Sequence, residues 1–75
     1  MTWFAEHRQQ WIADMLAVYG FINRAHLQRK FGVSSAQAAI DFRTFNVAHP
    51  DAMTYDNRKK IYLSTTAPKA LIDKL

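Results

Sequence analysis

Seventy-five residues make one small domain, because the chain has no room for two hydrophobic cores, and two-domain enzyme architectures are excluded. Apolar residues at 49% against 21% charged describe a chain that packs a core, and the absence of cysteine removes disulfides and cysteine zinc sites. Ten Lys and Arg against six Asp and Glu leave a net charge of +4 and a pI near 9.8, the balance of a nucleic-acid binder although not proof of one.

Phe4, Trp11, Ile12, Met15, Leu16 and Tyr19 recur at helical spacing and predict an amphipathic helix over about residues 4–19 that Gly20 stops. Asn23 offers its side chain as an N-cap to a second helix over 24–31, with Leu27 and Phe31 as its apolar pair and Gly32 as its end. Ser34 caps a third helix over 35–46, which turns Ala38, Phe42 and Phe45 toward a core. Two helices therefore meet across a turn of about three residues. Pro50 disfavours helix at His49 and marks a connection. Beyond it, Met53-Thr54-Tyr55 and Lys60-Ile61-Tyr62-Leu63 alternate as strands around the polar turn Asp56-Asn57-Arg58-Lys59, a hairpin over about 53–63. Pro68, with Leu71, Ile72 and Leu75 on one face, predicts a short final helix over about 67–75. With no repeat or linker, residues 1–75 are expected to form a single unit. No span of some 18 apolar residues occurs, the opening residues Met1 to Arg8 are not expected to act as a signal peptide, and a cytoplasmic, nucleoid-associated location is expected.

This order of elements gives the expected fold class: α+β, mainly α, a winged helix-turn-helix with a three-helix core, a β-hairpin wing and a short C-terminal helix. Its most specific residues are Leu27 to Phe31-Gly32-Val33-Ser34, the pair Gln37-Ala38 followed by Asp41, and Tyr55-Asp56 with Lys60 and Tyr62. Through them the segment from about Tyr19 to Leu63 resembles the N-terminal winged helix of DeoR-type regulators and, more particularly, of WYL-domain transcriptional regulators, including repressors of phage-defence gene clusters. The resemblance implies a small dimeric repressor that binds double-stranded DNA sequence-specifically. The ligand-sensing WYL domain of such regulators is absent from these 75 residues, so no small-molecule effector and no cofactor are expected of this chain. Ile40 departs from the polar or basic residue common in the family and favours an apolar contact with a thymine methyl, or packing.

In a helix-turn-helix the third helix enters the major groove and the second crosses the backbone. The base-reading residues are then Ser35, Ala36, Gln37, Ile40 and Arg43, with Gln37 able to pair bidentately with adenine. Arg24, His26, Arg29, Lys30 and Ser34 would position the backbone, and Asn57, Arg58 and Lys59 form the basic tip of the wing. Arg29, Lys30, Arg43, Arg58 and Lys59 are expected to converge on one face. The plainer alternative is a set of solvated helix faces on a protein-binding adaptor that has kept the fold and lost DNA reading. His7, His26 and His49 match no metal motif, and no nucleophile and base stand at catalytic spacing. Asp41 and Asp56 are expected to accept hydrogen bonds or pair with Arg or Lys. Two-fold operators call for a homodimer, for which the first helix, with Trp3 off its main stripe, and the final turn are the candidate surfaces.

Overall fold

The computed structural model describes residues 2–66, so the expected final helix over 67–75 lies outside the described residues. The first helix, α1, runs from Trp3 to Val18, and the Thr2 side chain accepts from the amide of Ala5 to cap it. Its buried side is narrow, built on Ile12 and Leu16. Two members of the expected apolar stripe leave it, since Phe4 is 66% and Tyr19 55% exposed. Phe4 lies about 80° around the helix from Ile12 at 3.6 residues per turn, and it packs edge-on against Trp3 at 4.9 Å instead. Tyr19 is the C-cap and has already left the helical period.

Gly20, at φ 82°, turns the chain into a short strand that the sequence did not reveal, β1 at Phe21–Ile22. Two residues are too few for an alternation to register. The second helix, α2, spans Arg24–Phe31 and ends on Gly32 at φ 67°, a left-handed position that suits glycine. Ser34 caps the third helix, α3, accepting from the Gln37 amide; α3 spans Ser35–Ala48, two residues past the expected end.

Strands β2, Met53–Asp56, and β3, Ile61–Ser64, form the hairpin. Its loop is Asn57–Lys60, one residue later than expected, because Asp56 remains in the ladder opposite Ile61. The Asp56 carboxylate accepts from the amides of Arg58 and Lys59 at 2.9 and 3.0 Å, and its carbonyl accepts from Lys60, which takes φ 58°. Lys60 is therefore a turn residue and not the start of the return strand. The sheet order is β1-β3-β2, antiparallel throughout, with Ile22 opposite Tyr62.

The core joins all of these elements. Ile12 and Leu16 of α1 meet Ile22 of β1, Leu27 of α2, Ala38, Phe42 and Phe45 of α3, and Met53 of β2. Trp11 and Phe31 close its rim edge-to-face at 5.7 Å, and Phe42 stacks on Tyr62 at 4.1 Å with the rings 6° from parallel. Three helices, with α2 and α3 joined by a tight turn, and a hairpin laid beside them constitute a winged helix-turn-helix.

Candidate nucleic-acid interface

The solvent face of α3 is set by its period. Ala36, Ile40, Arg43 and Val47 succeed one another at spacings of three or four residues and are all exposed, opposite the buried Ala38, Phe42 and Phe45. Ile40 is 48% and Val47 77% exposed, so plain packing does not account for Ile40. Ser35 and Ala36 stand exposed on the first turn, beside the helix start that Ser34 caps. A groove of about 460 Å³ separates α3 from the wing, lined by Ala39, Phe42, Arg43 and Asn46 on one side and Met53, Thr54, Tyr55 and Tyr62 on the other. Asn46, Thr54 and Tyr55 were missed by sequence reasoning. Their groove exists only once the hairpin lies against α3, a pairing that no local pattern encodes.

Gln37 sits on the flank of α3 that faces α1. Its Nε2 donates to Asp41 Oδ1 at 3.0 Å, while Arg8 of α1 donates Nε to Asp41 Oδ2 at 2.7 Å. Gln9, also from α1, donates its amide to the Asp41 carbonyl at 2.8 Å. Asp41 is the buried charged residue of the core, 4% exposed, and both of its carboxylate oxygens are engaged. Arg8 and Gln9 were given no role by the sequence; the four-residue spacing of Gln37 and Asp41 was the available signal.

On α2, His26 belongs to the helix cap. Its amide donates to Asn23 Oδ1 at 2.8 Å, and the Asn23 amide donates back to His26 Nδ1 at 3.3 Å, which requires that nitrogen to be unprotonated. Burial, and then the Arg29 charge, hold the imidazole below its ordinary range. Arg24 begins the same helix, near enough to Tyr62 for its charge to favour the phenolate; burial outweighs this and raises the Tyr62 hydroxyl above its usual value. Arg24 and Arg29 are exposed. Lys30 borders a different groove, of about 420 Å³, with Trp3, Phe4, His7 and Trp11. The sequence had grouped Lys30 with Arg43, yet the two line separate grooves.

At the wing tip Asn57, Arg58 and Lys59 are exposed, and Lys60 Nζ reaches Asn57 Oδ1 at 3.4 Å. Backbone hydrogen bonds from Lys59 and Arg58, with their charges, hold the Asp56 carboxyl below the usual carboxylate range. The loop backbone is thus fastened by Asp56 while its basic side chains project from an exposed turn. Among the described residues no helix is long and apolar enough to cross a membrane.

The chain is 36% identical over 63 residues to the DNA-binding transcriptional repressor CapW of Escherichia coli (strain KTE188), a match that covers 84% of this chain and 21% of that protein. It is 35% identical over 65 residues to the CapW repressor of Stenotrophomonas maltophilia, covering 87% of this chain and 22% of the relative. With the Pseudomonas aeruginosa CapW repressor it shares 33% identity over 69 residues, 92% of this chain and 23% of that one. The chain therefore spans about a fifth of the length of the curated relatives it matches. Residues 5–72 match the winged helix-turn-helix domain of the BrxR transcriptional regulators, and the chain belongs to that family.

Proposed function

We propose that this chain is the DNA-reading part of a transcriptional regulator, a sequence-specific binder of double-stranded DNA that acts as a repressor in the cytoplasm. One observation carries the reading: the solvent face of α3 exposes Ser35, Ala36, Ile40 and Arg43, and Arg43 lines a groove whose other wall is the wing, whose loop holds Arg58 and Lys59. An α-helix fits the major groove, and a basic loop beside it reaches the flanking backbone or minor groove. In this reading Ser35, Ala36, Gln37, Ile40 and Arg43 meet base edges, while Arg24, His26, Arg29, Lys30 and Ser34 serve the phosphates. Asn57, Arg58 and Lys59 of the wing add a second track of backbone contact. The net charge of +4 and the names of the CapW relatives support the same assignment.

The reading includes a homodimer, since repressors of this architecture meet two-fold operators. Its support is the aromatic patch on α1, where Trp3 is 64% and Phe4 66% exposed beside His7, whose ring lies 3.9 Å from that of Trp3. Selection of binding sites from random duplexes at two salt concentrations tests the whole reading. An enriched motif with two-fold symmetry is expected. A pool that stays unenriched and is lost at moderate salt would overturn it in favour of a protein-binding adaptor.

A further inference from the structure

A buried ion pair lies directly behind the base-reading helix, and the residue it holds is one that faces DNA in the reading above. Asp41 takes Arg8 on one carboxylate oxygen and Gln37 on the other, with side chains of Arg8 and Asp41 only 13% and 5% exposed. A carboxylate paired with a guanidinium only accepts hydrogen bonds, so the nitrogen of the Gln37 amide and not its oxygen must face Asp41. The orientation of that amide is therefore dictated by chemistry.

The consequence concerns the hydrogen-bond pattern that Gln37 has to offer. An unrestrained glutamine amide rolls freely and presents two N–H donors, or one N–H beside the carbonyl oxygen. With one amide hydrogen committed to Asp41, a single N–H and the carbonyl oxygen remain. In the major groove adenine shows one acceptor, N7, and one donor, the N6 amino group, which this remainder complements. Guanine shows two acceptors, N7 and O6, and the carbonyl oxygen of Gln37 would then face O6 without a hydrogen between them.

We infer that the Arg8–Asp41 pair is a latch that positions Gln37 and makes it selective for adenine over guanine. Arg8 and Asp41 are positioning residues that touch no base. Gln9 Nε2, bonded to the Asp41 carbonyl at 2.8 Å, fixes the backbone of the latch to α1. The inference rests on the DNA reading proposed above and adds the base that one position of the operator must hold.

The test uses the 75-residue chain and the duplex recovered by site selection, with each A·T pair changed in turn to G·C. The wild type is expected to lose roughly tenfold or more in affinity at one adenine per half-site, and Gln37→Ala to lose that preference there. The decisive variant is Arg8→Met with Asp41→Leu, because an apolar pair of similar volume often replaces a buried ion pair without loss of stability. It should melt no lower than the wild type, bind adenine and guanine within about twofold of each other at that position, and keep its preferences elsewhere. An unchanged adenine preference in this variant would refute the latch, as would an equal loss at every position, which is the mark of a merely structural role. A Gln37→Ala protein with all preferences intact would show that Gln37 reads nothing. If the wild type enriches no site, the DNA reading itself fails, a result distinct from these. A measurement on the unaltered chain covers the case of a paired variant that does not fold: one Gln37 amide hydrogen should exchange with water several-fold more slowly than the corresponding hydrogen of glutamine in a short unstructured peptide, and exchange of both at the peptide rates overturns the latch.

Discussion

Replacing Phe42 by alanine strikes the contact that joins the recognition helix to the wing. Phe42 is 1% exposed and stacks on Tyr62 at 4.1 Å, while its neighbours in the core come from α1, β1, α2 and β2. Truncation of a fully buried phenylalanine costs about 3–5 kcal/mol in lost transfer energy and cavity formation. A domain of this length has a total stability of about 4–11 kcal/mol, at 0.05–0.15 per residue, so the substitution removes about a quarter of it at the least. With a urea dependence of about 1 kcal/mol per molar for a chain this small, the unfolding midpoint should fall by about 3 M or more. A double-mutant cycle with Tyr62→Ala isolates the ring contact, for which a coupling of about 0.5–1.5 kcal/mol is expected. Urea titrations followed by circular dichroism supply all four stabilities. A loss below about 1 kcal/mol for Phe42→Ala, or a coupling indistinguishable from zero, would refute the stack as the hinge between helix and wing.

Replacing Arg58 and Lys59 together by alanine should weaken binding about equally on all duplexes and reduce the magnitude of the slope of log affinity against log salt by about 1.8 for each wing engaged, at 0.9 per phosphate lost; anisotropy titrations at four salt concentrations check this. Burial and Arg29 hold the folded His26 below its ordinary pKa of 6.5, so the unfolded chain takes up its proton first. The stability tied to this group is complete above about 6.5 and declines as pH falls below it, and thermal melts at pH 7.5 and 5.5 should differ less in His26→Gln than in the wild type. Asn23→Ala should cost about 1 kcal/mol by removing the cap of α2, measured by the same urea titration. At Gly32 a Cβ would meet nothing within 4 Å, so Gly32→Ala should cost only the conformational penalty of the left-handed backbone, about 1–2 kcal/mol.

The three helices were legible because each one announces at least one of its ends. Asn23 and Ser34 cap two starts, Gly20 and Gly32 take positive φ after two ends, and the buried residues between them keep helical spacing. The hairpin was legible from alternation, but its loop was misplaced by one residue. Asp56 reads as a turn former in sequence, yet it serves the turn from the last strand position, accepting the Arg58 and Lys59 amides. β1 was invisible because its hydrogen bonds are made to β3, some forty residues away, and nothing local demands them. The candidate site divides along the same line. Residues exposed on the period of α3, such as Ala36, Ile40 and Arg43, follow from the helix alone. Arg8 behind Asp41, and Tyr55 across the groove, depend on tertiary contact.

The central place of β3 also bears on how this surface could be altered. The strand is held along one edge by Phe21 and Ile22, along the other by Met53 to Asp56, and over its face by Phe42, while the Ser64 amide is tied to the Gly20 carbonyl at 2.8 Å. Every one of those attachments lies outside the loop Asn57–Lys60. The tip can thus be lengthened, shortened or exchanged for another sequence without moving the strand register that aims it, and the hairpin becomes a graft site through which this scaffold can be given a different reach along a duplex.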